Sequence, residues 1–291
     1  SIGTLVSVLA IERSDQERRK VELEGNLTEI SSALQRRATE NIALLRAGSA
    51  LFAMHKEVTR GQISEFSSDL QHNGNLYGSM GLGWAPLLPI SQTPQFEVDV
   101  RKTHAGFSIW PDPFALSTHN GREQQFSAPV MFMEPESRDN QRVIGYDMYS
   151  NPARREAMNL AMDTGRPIAS GRVRLIQDRD GSAASPGFLI YMPVFADARR
   201  SRVKGFVYTP FRASEFLQSA AELFRQDDLE VRIYDKTITP ENLLAERRAD
   251  GFEGPSVNGK IEVAGRTWVI SVSDKKSAVL SDTAKVTLLF G

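Results

Sequence analysis

The stretch Val143-Ile144-Gly145-Tyr146-Asp147-Met148-Tyr149-Ser150-Asn151-Pro152-Ala153-Arg154-Arg155 decides how this chain is read. Its second half opens a helix. Ala157, Leu160 and Ala161 recur at helical spacing, and Thr164-Gly165 with Pro167 shortly after supplies the stop. Past Gly165 the period changes: Val173, Leu175 and the run Phe188 to Phe195 read as strands, parted by the polar turn Asp178-Arg179-Asp180-Gly181. Upstream, Ala128-Pro129-Val130-Met131-Phe132 leads through Glu134-Pro135 into the same stretch. Downstream, a basic hairpin loop, Arg199 to Lys204, precedes a strand at Gly205-Phe206-Val207-Tyr208-Thr209-Pro210 and an amphipathic helix over Ala213 to Phe224.

Towards the N-terminus, Glu12 to about Val58 is polar apart from one stripe, Leu23, Leu27, Ile30, Leu34, Ala38, Ile42, Leu45, Ser49 and Phe52. Steps of mostly three and four place it on one face of a long helix, weakened near Gly25-Asn26. At 1.5 Å per residue, about 40 residues make a helix of about 60 Å, longer than one domain covers. The stripe from Leu23 to Leu34 is therefore expected to need a partner, most simply a parallel second copy. Ser64 to Leu70 reads as a short helix, and the glycine-rich passage Gly74 to Pro86 enters a strand at Leu82-Gly83-Trp84-Ala85. It holds neither Gly-x-Gly-x-x-Gly nor a Walker Lys-Ser/Thr, so its glycines serve turns. A helix over Gln92 to Thr103 and a strand around Phe107-Ser108-Ile109-Trp110 follow.

Composition bounds the function classes. The chain has 291 residues, 41% apolar and 24% charged, values of a globular protein with room for about two domains. A net charge of −1 argues against a nucleic-acid surface, and the absence of cysteine removes disulfides, thiolate zinc sites and cysteine nucleophiles together. Ile2 to Ile11 is apolar and uncharged, though short of the roughly 20 residues that span a bilayer. Val286-Thr287-Leu288-Leu289-Phe290 is similar. Two readings stand: terminal packing segments, or the edges of membrane helices flanking an excised domain.

The C-terminal part alternates at strand period in Val231-Arg232-Ile233-Tyr234-Asp235, Gly259 to Val263 and Thr267 to Val272. Together with Gly83-Trp84-Ala85-Pro86, Ala128-Pro129-Val130, Gly145-Tyr146-Asp147, Ser150-Asn151-Pro152, Asp163-Thr164-Gly165, Tyr191-Met192-Pro193-Val194-Phe195 and Lys204-Gly205-Phe206-Val207, the layout resembles the CHASE domain. That domain is the extracytoplasmic sensory module of membrane-bound histidine kinases, nucleotide cyclases and diguanylate cyclases. The resemblance implies an α+β fold: a stalk helix (1–60), a membrane-distal PAS-like ligand-binding domain (61–226) and a membrane-proximal PAS-like domain (227–291), with a boundary near Gln226. It also implies an inner-membrane receptor with this segment periplasmic, flanking transmembrane helices, and a homodimer paired through the N-terminal helix. A sensor histidine kinase is the first reading of the whole protein, and the sensor of a diguanylate cyclase or phosphodiesterase the alternative.

Catalysis has little support. His55, His72, His104 and His119 have no metal-ligand spacing, no Gly-x-Ser-x-Gly elbow occurs, and Asp178-Arg179-Asp180-Gly181 is too short for a calcium loop. No catalytic residue, metal or cofactor is expected. Asp147 reads two ways: a carboxylate among apolar and aromatic neighbours accepting from a ligand N–H, or a cap on the helix that follows. The resemblance to the plant cytokinin receptors, where the matching Asp holds the adenine ring, implies the ligand role and a small-molecule partner of adenine type. It extends to Ala169, Asp178, Met192 and Thr209, each at a pocket position of those receptors but differing in residue type. A sensor predicts a closed pocket around Asp147 lined by Phe126, Met148, Met192 and Phe206; a structural dimerisation module predicts the same region filled by side chains.

Overall fold

Helix α1 runs unbroken from Ile2 to Ala53 in the computed structural model, which describes residues 2–55, 57, 59–72, 78–114, 124–178, 185–224, 229–247 and 256–274. The weakening expected at Gly25-Asn26 does not occur. An interior Gly costs about 1 kcal/mol against Ala, whereas burying a Leu or Ile contributes about 1.5–3 kcal/mol, and Leu23 and Ile30 on either side are buried to 4% and 1% exposure.

The chain divides into two compact units, one of Ser1–Gln35, Ala220–Ile261 and Thr267–Gly291, the other of Arg36–Ser219 and Glu262–Arg266. In the first, β9 (Leu229–Asp235), β10 (Leu243–Arg247), β11 (Ser256–Val263) and β12 (Arg266–Asp274) form an antiparallel sheet of order β10-β9-β12-β11. Alternate residues Val231 and Ile233, and Trp268, Ile270 and Val272, are buried at strand period. Leu23, Ile30 and Leu34 of α1 are buried in the single chain, and Leu27 packs on Gly259 so closely that an added Cβ would stand 3.0 Å from it. The expectation of an exposed stripe waiting for a second copy is thus corrected: the chain's own C-terminal part covers it. Gln226 and Val286 to Phe290 lie outside the described residues.

The second unit carries α2 (Arg60–His72), β1 (Leu82–Pro86), β2 (Leu88–Pro89), α3 (Thr93–Arg101), β3 (Phe126–Ser127), β4 (Phe132–Glu134), α4 (Arg138–Gln141) and α5 (Pro152–Thr164). They are followed by β5 (Ile168–Ala169), β6 (Val173–Arg174), β7 (Pro186–Phe195), β8 (Val203–Arg212) and α6 (Ala213–Ala221). The main sheet is antiparallel, β4-β1-β8-β7-β5, with β6 on β7. Counting its five path strands in chain order gives 2-1-5-4-3, the PAS-like arrangement. With the long α1 and the second sheet, the fold is α+β, as the sequence predicts.

The β7–β8 hairpin is the core of this unit, two ten-residue strands in continuous register from Gly187↔Arg212 to Val194↔Gly205. Its alternation separates two faces. Leu189, Tyr191, Phe206 and Tyr208 join Ala157, Met158 and Ala161 of α5 in one buried cluster. On the other face Phe188, Phe211 and Phe216 of α6 pack ring against ring, and Val207 lies 3.3 Å from where a side chain on Gly48 of α1 would start. The strand expected around Phe107 to Trp110 is not formed. That segment makes one parallel bridge, Trp110↔Tyr146, and Gly145, at φ 82°, lets Ser108 approach so closely that a Cβ there would fall 2.0 Å from its carbonyl oxygen.

Candidate functional site

The segment from Gly145 to Arg155 folds by local capping. Asp147 starts a 3-10 turn, Met148–Ser150, its carboxylate accepting from the Tyr149 N–H; Asn151 then caps α5 by accepting from Arg154 N–H, with Pro152 in the first turn. At the far end Gly165 adopts φ 65° and donates to the Ala161 carbonyl. Asp147 is 6% exposed and fully engaged in this frame. Its Oδ1 also accepts from Ala128 N–H at 2.7 Å, and its Oδ2 from the Gln124 amide at 2.7 Å. Three protein donors therefore hold this carboxylate, and they tie β3, the 128–130 segment and the 3-10 turn together.

Beside it lies a polar network under the sheet. Asp112 accepts from Tyr146 Oη at 2.7 Å, from Asn151 Nδ2 at 2.6 Å and from Phe114 N–H at 2.7 Å. Burial opposes its charged form, yet these hydrogen bonds and the field of Arg154 outweigh that and hold its carboxyl below the ordinary range. Arg154, on α5, is 3% exposed. It donates through Nη2 to the Arg174 carbonyl at 3.2 Å, lies near the Tyr191 hydroxyl, and sits with Cζ 5.2 Å from the Tyr146 ring centre. Burial pushes the hydroxyls of Tyr146, Tyr191 and Tyr208 above the usual phenol range, so all three stay neutral near pH 7 and none cancels the guanidinium charge.

Arg154 makes no direct ion pair among the described residues, and its Nε has no hydrogen-bond partner. Tyr208 Oη is also buried without a hydrogen-bond partner among the described residues; its ring lies over Gly83, where a Cβ would stand 2.3 Å from the ring. Both residues face one internal void of about 10 Å³, whose walls include Tyr146, Met148, Gln177 and Leu189. That is room for about one water. An unpaired buried N–H or O–H costs about 1–3 kcal/mol, and more where the group is charged. The arrangement thus holds a positive charge and a hydroxyl at one interior point, ready for an anionic or strongly accepting group.

Of the residues expected to form the site, Met148 and Phe206 belong to one large buried cluster with Phe126 packed against it, and Asp147 precedes Met148 at its edge. Met148 receives a weak hydrogen bond on sulfur from Tyr191 Oη at 3.7 Å, Phe206 meets Tyr191 edge-on at 6.1 Å, and Phe126 meets Tyr149 edge-on at 6.0 Å. Met192 and Thr209 lie on the opposite face of the hairpin, because side chains alternate along a strand. Thr209 donates to the Gly81 carbonyl there at 2.7 Å. Ala169 sits on edge strand β5 opposite Ile190, and Asp178 pairs with Arg212 at 2.9 Å. Arg154 is not among the residues expected from the sequence, though a signal for it exists: it shares the apolar face of α5 with Ala157, Met158 and Ala161, where a charge is out of place.

These elements define a long N-terminal helix, a six-stranded antiparallel sheet and a buried polar cluster against that sheet. Residues 56–245 match the family model of the CHASE domain, and the chain belongs to that family, whose members are extracytoplasmic sensor domains of signalling receptors. It is 25% identical to hybrid signal transduction histidine kinase A of Dictyostelium discoideum over 261 residues, covering 77% of this chain and 12% of that protein's length. Among solved structures it is similar to methyl-accepting chemotaxis protein X, with 13% identity, 88% of this chain and 98% of that chain covered, and a TM-score of 0.49. The periplasmic sensory domain of the Campylobacter jejuni chemoreceptor Tlp1 gives 11% identity, coverage of 88% and 94%, and a TM-score of 0.47.

Proposed function

We propose that this CHASE domain is the periplasmic sensor of an inner-membrane receptor and that its ligand is a small molecule carrying a carboxylate or another compact anionic group. The observation that carries the reading is the buried Arg154 guanidinium, without an ion-pair partner among the described residues and sharing a void with the unpaired Tyr208 hydroxyl. Keeping such a charge inside a protein is costly, and a bound anion removes the cost. A ligand larger than water enters as Met148 and Gln177, unbranched side chains on the wall of the void, repack. Asp147, with three protein donors already on its carboxylate, serves to clamp the turn that carries Met148 rather than as the ligand's acceptor, which weighs against an adenine-type ligand. The Dictyostelium relative supports a histidine kinase as the output, with a cyclase as the alternative.

A thermal-shift screen against amino acids, organic acids, small phosphates, adenine derivatives and neutral analogues tests this. An anion at 100 times its dissociation constant should add about 2.7 kcal/mol of stability. Stabilisation by neutral bases alone, with every anion inert, contradicts the reading.

A further inference from the structure

On the face of β7 that carries Met192, the C-terminal part of α1 and the turn from α5 to β5 bound an open groove of about 660 Å³. Small-molecule sites typically measure about 300–1,000 Å³. Its apolar lining is Ala50, Pro167, Met192 and Phe195, and Arg46, Arg166 and Arg200 stand around it. The three arginines come from three separate elements: α1, the residue after the α5 cap, and the β7–β8 turn. None forms an ion pair among the described residues. Among the described residues lining the groove the one carboxylate, Asp197, is already taken up by Ser201, accepting from its N–H at 3.1 Å and its hydroxyl at 2.7 Å.

A plainer account is that arginines gather at the C-terminal end of α5, where the helix dipole favours cations. It covers Arg166 and Arg200, whose Nη1 lies 3.0 Å from where a Gly165 Cβ would be, but not Arg46, which belongs to another helix. Arg200 moreover has its Cζ over the Phe195 ring that lines the groove, 5.0 Å from its centre. A guanidinium over a ring face keeps N–H donors to offer a ligand.

We propose that this groove is a second binding site, separate from Arg154, for a small organic anion with an apolar body. The anionic head is received by Arg46, Arg166 and Arg200, and the apolar part lies on Met192 and Phe195. A ligand seated there touches α1 directly and bridges it to the α5–β5 turn, so it biases the position of the stalk helix without passing through the buried site.

The test is calorimetric titration of the 291-residue chain with octanoate, octyl phosphate and octanol, at low salt and at 0.15 M salt. At least one anion should bind, more weakly as salt rises, with octanol at least tenfold weaker; whichever anion binds tighter names the head group. Arg46→Glu/Arg166→Glu, both changes at exposed positions, should lose at least tenfold. Absence of binding by both anions, equal binding of octanol, or indifference to the double change overturns the site. Loss in Arg154→Met assigns the anion to the buried void and overturns it too. So does concentration-dependent dimerisation that the double change abolishes in the absence of anion binding, since a second copy then fills the groove.

Discussion

The two faces of the β7–β8 hairpin are built by the same alternation, and they differ in what they ask of their neighbours. Towards α6, Phe188 stacks on Phe211 at 4.7 Å and both meet Phe216 edge-on, all three fully buried and without a polar atom to satisfy. Towards α5, Tyr191 and Tyr208 replace the phenylalanines and face a buried arginine. The first face is a source of stability. The second spends some of it, leaving Arg154 Nε and Tyr208 Oη unpaired, and places where a chain departs from full satisfaction of buried groups are where function is concentrated.

The largest effect that separates the faces is expected at Phe188. Phe188→Ala should lower unfolding stability in urea by about 3–5 kcal/mol, the usual cost of a buried Phe, while ligand affinity at Arg154 stays unchanged in the folded fraction. A matching loss of affinity would mean that the two faces are not independent. Next comes Asp147. Asp147→Ala strands three donors, the N–H groups of Ala128 and Tyr149 and the Gln124 amide, and should cost about 1–3 kcal/mol. Asp147→Asn keeps one acceptor oxygen and should cost less. If the alanine change is silent in denaturation but abolishes binding, Asp147 is a ligand contact and the clamp role is wrong.

The smallest effect is one of pH. Asp112 has a folded carboxyl pKa below its ordinary value, so its unfolded form binds protons first on acidification. Its contribution to stability is complete above the ordinary carboxylate pKa of about 3.9 and is lost as pH falls from there through the lower folded value. In Asp112→Asn the fall in stability below about pH 4 should be shallower; an unchanged slope would remove Asp112 from the network's electrostatics.

Much of the fold was legible because its signals are local. Asn151-Pro152 and Gly165 bracket α5 as caps do, and the continuous apolar runs of β7 and β8 and the alternation in β9 and β12 show where strands lie. Strand β10 was not read, since Leu243-Leu244-Ala245-Glu246-Arg247 is made of good helix formers and only pairing with β9 makes it a strand. The coverage of Leu23 to Leu34 by chain more than 200 residues later, as between Leu27 and Gly259, is likewise a tertiary fact with no local trace. At the site, sequence alone does not say which parity of β7 points to α5; the β7–β8 register puts Met192 on the face opposite Tyr191. Arg154 was visible as a charge on an apolar helix face, but its lack of an ion pair depends on what the fold brings around it.

The central claim is that the buried guanidinium receives the ligand. It is tested most directly by titrating the unaltered chain and Arg154→Met with the small anion that gives the greatest thermal stabilisation. Met fills similar space without a charge, so the fold should be as stable or more so. Affinity should fall by about 1.5–3 kcal/mol, roughly ten- to 150-fold. Equal affinity of the two proteins for that anion would contradict the account.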